Sequence, residues 1–293
     1  MSARNIASKL KKTTPVRIIV FLIFLIYAIL LLVPYIFAFY VSLKTRTEYN
    51  STLILAPPQS FNLSNYIEAW TALASEESGT SVPMMLLNSL WYAGGVAFFS
   101  VLFSSMGAYV VAKYEFRGKG FVYAFAIVTM MVPVMGTLPS QLRYVRAIGS
   151  LNSPLYMITM CQLLGTIFIV MHSAFKSISW EYAEAAFIDG AGQFIVFFGI
   201  MLPQSVSVLV AMFLTNFIWL WADSETPLIF FDELPPVALG LYQYKQIVDS
   251  NDPYASVPTF YAGLILCMIP SLVLFSVFQK TLMDIQMGGG LKG

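Results

Sequence analysis

The residues best placed to do chemical work are acids, small residues and aromatics gathered in one stretch, SISWEYAEAAFIDGAGQFIVFFGIMLPQS, from Ser177 to Ser205. Glu181, Glu184 and Asp189 interrupt it, and Gly190 and Gly192 bend it. No catalytic set assembles here or elsewhere. His172 is the only histidine, so a histidine triad or histidine-based metal site lacks parts, and it is expected at a helix end. Cys161 and Cys267 lie in apolar runs and read as two buried, reduced thiols, neither a disulfide framework nor a zinc pattern. There is no G-x-x-x-x-G-K-[ST] loop to cradle phosphates; GGV at 94–96 and GGG at 288–290 lack the lysine and the strand–helix setting. With no catalytic residue and no metal ligand set in view, recognition is the chemistry left to this stretch.

Local chemistry predicts a short helix there. Ser179 is a good N-cap, Glu181 and Glu184 lie where a helix dipole favours anions, and Ala183, Ala185 and Ala186 are strong helix formers. Gly190 is placed to follow the C-cap. A second short helix is expected from Phe194 to Ile200, with Pro203 opening the next element. The first helix would present two acids, alanines and exposed aromatics at Trp180, Tyr182 and Phe187, a surface suited to a cleft on a cytosolic partner. The competing reading is an amphipathic helix lying on the membrane. It fits poorly, because the polar face is acidic and the inner leaflet is negative.

The elements that position this segment belong to a membrane protein. Of 293 residues, 58% are hydrophobic and 11% charged, against about 25% charged in soluble domains, and mean hydropathy is +0.75. A net charge of +1 leaves no basic bulk for nucleic acid. About 20 apolar residues span the hydrocarbon core as helix, and six segments qualify: Ile18 to Leu43, Met85 to Ala112, Phe121 to Leu138, Pro154 to Phe175, Pro203 to Trp221 (or as far as Phe231), and Val257 to Phe278. The first is too long for a signal-peptide core and no small-residue cleavage site follows it, so it reads as a retained signal anchor. With both termini cytoplasmic, the inner segments carry 11 Lys and Arg and the outer ones 5, which selects that orientation. Arg143 and Arg146 sit awkwardly in a short outer loop, either lining a wet vestibule or lying among lipid headgroups. The longer outer loops, 45–84 and 222–256, suit small packed hairpins rather than an enzymatic domain. The expectation is an all-α integral membrane protein: a cytoplasmic segment 1–17, then a transmembrane domain 18–293 with a cytoplasmic loop 177–205 and tail 279–293.

Glu184-Ala185-Ala186, three residues, Gly190, nine residues, Ile200, one residue, Leu202-Pro203 resembles the EAA loop of binding-protein-dependent ABC importer permeases. The adjoining IDGAG, the NSL opening the second span at Asn88, GAYVVAKYEFRGKG, MVPVMGTLPSQLR and the tail FQKTLMDIQMGGGLKG are similar to the carbohydrate-uptake, MalG-like branch. The tail lacks that branch's arginine–glycine step, and Gln204 stands where an apolar residue often follows Leu-Pro. The resemblance implies a type I ABC importer permease fold in a bacterial plasma membrane. It also implies a second, different permease subunit, two ATPase subunits carrying the ATP and Mg, and an extracellular solute-binding protein. The chain itself would bind no cofactor. Glu184, Ala185, Ala186, Asp189, Gly190, Ile200, Leu202 and Pro203 would form the coupling segment, with Glu184 pairing a basic residue of the ATPase. Gly288 to Gly293 would reach toward the same interface.

For a substrate path, polar and aromatic groups at the spans are candidates: Gln141 and Tyr144 after the third, Gln162 in the fourth, Asn216, Trp219 and Trp221 in the fifth. Such groups face protein or water rather than lipid, though helix packing and interfacial anchoring use the same residue types. An importer for phosphate, amino acids, polyamines or peptides would share the architecture, but the IDGA extension and the tail argue against it. An ion-driven transporter would favour an intramembrane carboxylate or basic residue, and the clear span interiors are almost free of acids.

Overall fold

The computed structural model describes residues 15–289, except 54, 75–78, 132–135, 251 and 254. Every regular element among them is helical. In chain order they are α1 (Pro15–Ser42), α2 (Arg46–Ser51), α3 (Ser64–Ala72), α4 (Val82–Lys113, continuous through a π-helical turn at Leu90–Gly95), α5 (Lys119–Met131), α6 (Leu138–Ala147) and α7 (Tyr156–Thr159). Then come α8 (Thr166–Ser177), α9 (Glu181–Ile188), α10 (Gln193–Gln204, containing a π-helical turn at Phe197–Met201), α11 (Val206–Trp221), α12 (Glu225–Phe230), α13 (Val237–Asp249) and α14 (Val257–Gly289).

Among the described residues, three helices are long and apolar enough to cross a bilayer: 17–42 within α1, α4, and 257–280 within α14. A fourth span exists if α10 and α11 count as one, bent by 78° at Ser205. The third expected span runs through 132–135, outside the described residues, and its described helix is α5; the fourth is interrupted. α5 has 13 residues. The segment 154–175 is broken between α7 and α8, and α8 has 12 residues, about 18 Å of helix. Pro203, expected to open the fifth span, lies in the last turn of α10, just before the bend, and α11 beyond it has 16 residues.

The chain forms two compact units. The first combines described residues up to Ala69 with Ile247–Leu266. Its α1 is exposed along residues 17–36, and such a continuous apolar surface is stable only against lipid or protein. Past α1 the polar groups are paired: the Asn65 carboxamide donates to the carbonyls of Ser42 (2.7 Å) and Lys44 (2.8 Å). The Lys44 ammonium, counted above among outer-segment cations, is buried and donates to the Leu53 carbonyl at 3.3 Å. Thr259 donates to the Glu68 carboxylate at 3.2 Å.

The second unit, Trp70–Gln246 with Cys267–Gly293, holds the main core. α4 packs along α8 and α11, and Ala108, Ala126, Met171, Phe175, Val196 and Met201 are fully buried among them. His172 lies inside α8, not at its end; it is buried beside Tyr123, 4.6 Å between ring centroids. Cys267 is buried, but Cys161 is only half-buried. The loop after α11 is short helices tied to α4: the Asn88 carboxamide donates to the Pro235 carbonyl (3.2 Å), and the Val237 amide to the Ser89 hydroxyl (2.8 Å).

Candidate coupling surface

The Glu184 helix forms where its residue types direct. The Ser179 hydroxyl accepts from the Glu181 amide at 3.3 Å, but the N-cap is Trp180, one residue after the expected Ser179. Glu181 and Glu184 fill the first turn. The stop is a Schellman motif. The Gly190 amide donates to the Phe187 carbonyl (3.0 Å) and the Ala191 amide to the Ala186 carbonyl (2.9 Å). Gly190 sits at φ +84°, where a β-carbon is disfavoured.

α9 has two faces. Ala183 is fully buried, and Trp180, Ala186, Phe187 and Ala191 pack half-buried on the core of the second unit. These inward positions recur at helical spacing. Outward stand Glu181, Tyr182, Glu184, Ala185, Ile188 and Asp189, and Ile188 is 86% exposed. Two expectations change. Trp180 and Phe187 serve as anchors, leaving Tyr182 as the exposed aromatic of the three. Ala186 faces the chain's own core in part, so of the alanine pair only Ala185 is fully presented.

The inward face is clamped by aromatics. Trp180 meets Tyr114 edge-on, 5.5 Å between centroids, and Phe187 at 6.1 Å. Tyr114 meets Tyr109 edge-on at 5.6 Å, their hydroxyls 3.2 Å apart. Tyr109 in turn packs on Phe197 (5.1 Å) and Phe175 (5.6 Å). Polar ties run alongside: the Lys113 ammonium donates to the Ile178 carbonyl, and the Tyr114 hydroxyl to the Gln193 carboxamide oxygen. α9 is thereby fastened to the end of α4 and to α10. Each aromatic pair contributes about 0.5–1.5 kcal/mol beyond area burial. Sequence reasoning missed Lys113, Tyr114 and Gln193, whose roles depend on partners far along the chain.

The remaining motif residues lie in α10. Ile200 is half-buried within the π turn. Leu202, also half-buried, donates its amide to the Phe197 carbonyl, the wider ring of a π-helix. Pro203 is exposed and has no amide to donate. The Ser205 hydroxyl closes the bend, donating to the carbonyls of Leu202 (3.0 Å) and Met201 (3.1 Å). The tail from 290 onward lies outside the described residues.

The substrate-path candidates separate. Gln141 and Tyr144 lie one turn apart on α6, Gln141 half-buried and Tyr144 exposed; Arg143 and Arg146 are exposed on the same helix. Gln162 is exposed in the break between α7 and α8. Asn216 is half-buried and Trp219 is 68% exposed, one turn apart on α11. Trp221 is different: it is buried, stacks on Phe217 at 5.4 Å, and donates its indole N–H to the Cys267 carbonyl at 2.8 Å. The structure gives Trp221 a packing role.

Residues 101–283 match the family model for the binding-protein-dependent transport system inner membrane component. The chain is 26% identical over 266 residues to the diacetylchitobiose uptake system permease protein NgcG of Streptomyces coelicolor, covering 87% of this chain and 82% of that protein. It is 25% identical over 264 residues to the melibiose/raffinose/stachyose import permease protein MelC of Bacillus subtilis, covering 89% and 91%. Its fold is similar to a chain of a bacterial ABC transporter involved in the import of the acidic polysaccharide alginate, with a TM-score of 0.73 at 24% identity over 90% of this chain and 95% of that one.

Proposed function

Because this chain belongs to the family of binding-protein-dependent transport system inner membrane components, we propose that it is a permease subunit of an ATP-driven importer for a sugar or oligosaccharide. It is a multi-pass membrane protein. Its working partners in this reading are a second, different permease subunit, two ATPase subunits that hold ATP and Mg, and an external solute-binding protein. The chain performs no hydrolysis of its own. It lies in the bacterial plasma membrane with both termini and α9 on the cytoplasmic side, as the 11-to-5 distribution of basic residues favours.

The observation that carries the reading is the division of α9 into a clamped inner face and a presented outer face. A loop free to flex would absorb an applied force. A helix fastened through Trp180, Phe187 and Lys113 moves with α4 and α10 as a body. Glu184, Ala185, Ile188 and Asp189 form the grip for the ATPase, and closure of the two ATPases carries α9 and its attached helices with it. The sugar assignment rests on the substrates named for NgcG and MelC, together with the IDGA extension.

The test is copurification and uptake. A tagged chain extracted in detergent is expected to bring down ATPase subunits and a second permease. Membrane vesicles containing the assembly are expected to take up members of a panel of labelled mono-, di- and oligosaccharides only with ATP. Uptake that persists without any ATPase would overturn the reading.

A further inference from the structure

Beyond the Ser42 end of α1 the chain is arranged inside out. Ser42, Lys44, Glu48 and Asn65 are buried, while Leu53, Leu55, Phe61, Leu63 and Ile67 are each between 65% and 83% exposed. The buried polar groups are satisfied. Besides the bonds of Asn65 and Lys44 described above, the Ser42 hydroxyl lies 2.8 Å from the Tyr66 hydroxyl, and the Gln59 amide donates to the Glu48 carboxylate at 2.6 Å. A fixed frame thus holds the apolar side chains outward. An exposed apolar patch of this kind marks contact with a membrane or with another protein.

The level of the patch and its composition decide what covers it. Residues 17–42 of α1 make about 39 Å of helix at 1.5 Å per residue, against about 30 Å of hydrocarbon and about 40–45 Å with the headgroups. The Ser42 end therefore emerges in the headgroup layer. The Asn62 amide donates to the Leu43 carbonyl at 2.9 Å, so Phe61 and Leu63, on either side of Asn62, stand at that same level. Leu53 is tied there too, its carbonyl accepting from Lys44. Composition points the same way. Residues 49–67 carry no charge. A transient protein-docking surface is about as polar as the rest of a protein's surface, whereas an interfacial element buries an apolar face at the boundary of headgroups and acyl chains. The same unit also has a polar side: on α2, Arg46, Thr47 and Asn50 are exposed.

We propose that Leu53, Leu55, Phe61, Leu63 and Ile67 form a membrane mooring: they enter the leaflet at the Ser42 end of α1, and the partner of this surface is phospholipid. With both termini cytoplasmic, that leaflet is the outer one. The mooring pins the first unit to the bilayer beside the end of α1 and leaves the polar side of α2 to water. The inference goes beyond the importer reading and needs only that α1 crosses the membrane.

Spin-label accessibility tests this on the full chain, purified with whatever subunits accompany it and reconstituted in phosphatidylethanolamine–phosphatidylglycerol vesicles without binding protein. In a Cys161→Ser background, with the buried Cys267 left in place, Leu55→Cys, Phe61→Cys, Leu63→Cys, Ile67→Cys and, as the reference on α2, Asn50→Cys each receive a nitroxide. Oxygen, which concentrates in lipid, and a water-soluble nickel chelate serve as the two relaxing agents. The ratio of oxygen to nickel accessibility at 55, 61, 63 and 67 is expected to be at least threefold higher than at 50. Ratios within threefold of that reference mean that the patch faces water, free for a soluble partner such as the binding protein. Labels shielded from both agents mean that protein, such as a second permease, covers it. Either result overturns the proposal, and four separate positions keep the test decisive if one variant fails to assemble. Lipid contact is read without ATP or solute, so its failure leaves the importer reading standing; an unaltered chain that recruits no ATPase defeats that reading and leaves the mooring standing.

Discussion

Trp180 and Tyr114, 66 positions apart in the chain, meet edge-to-face at 5.5 Å between ring centroids. Trp180 opens the helix that carries Glu184, and Tyr114 directly follows the last residue of α4. The contact fixes a surface helix to a membrane-crossing one.

Trp180→Ala and Tyr114→Ala are expected to separate docking from coupling. The exposed face of α9 survives, so ATPase subunits should still copurify. Uptake should fall at least tenfold, and substrate-loaded binding protein should no longer stimulate ATP hydrolysis. Both lose the Trp180–Tyr114 pair, about 0.5–1.5 kcal/mol, and Tyr114→Ala also loses its edge-on contact with Tyr109, visible as a lowered unfolding temperature. Normal coupling in both variants would show that the clamp is not needed.

Gly190→Ala tests the helix stop. No atom lies within 4 Å of the position where its β-carbon would stand, so the penalty comes from φ +84° alone, about 1–2 kcal/mol. The amides of Gly190 and Ala191, bonded in the Schellman motif, should exchange hydrogen severalfold faster, with little change in core protection. Gly190→Asn should be milder, because asparagine tolerates this conformation better. Unchanged exchange in the alanine variant would contradict the assignment.

How far these features were legible in the sequence depends on the range of the interaction. The α9 start and stop were readable from Ser179, Glu181, Glu184 and Gly190, because caps and dipoles act within a turn or two. So were α1, α4 and α14, whose apolar runs exceed a bilayer's thickness. The break at 160–165 was not legible: nothing local stops a helix at Cys161-Gln162-Leu163, and the partners that replace its lost hydrogen bonds are Ser100 and Ser104, about 60 positions away. Trp221 misled for the same reason. Its type suits sugar stacking, and only the contact with Cys267 reveals that its N–H is already engaged.

Ser104→Ala should therefore weaken the fold more than a surface serine would. It leaves the Gln162 and Leu163 carbonyls without their donor, at a cost of about 1–3 kcal/mol. Ser104→Thr retains the hydroxyl and should recover part of that loss. Thermal unfolding of the purified assembly compares the three. Equal stability of the alanine variant and the unaltered chain would show that the hydroxyl does not hold the break.

Trp221→Phe and Trp219→Ala should differ in kind. The first keeps the stack on Phe217 but forfeits the bond to Cys267, costing about 0.5–1.5 kcal/mol with the KM for uptake unchanged. The second removes an exposed ring and should leave stability nearly untouched. A raised KM for Trp221→Phe without a loss of stability would return Trp221 to the substrate path.

The most direct measurement is photo-crosslinking from the outer face of α9 in intact membranes. A benzophenone amino acid at Ile188, 86% exposed on that helix, is predicted to give its main adduct with an ATP-hydrolysing subunit. The same group at Phe24 on α1 should give none with it. An Ile188 adduct formed with lipid alone, or with a protein on the external side, would contradict the account.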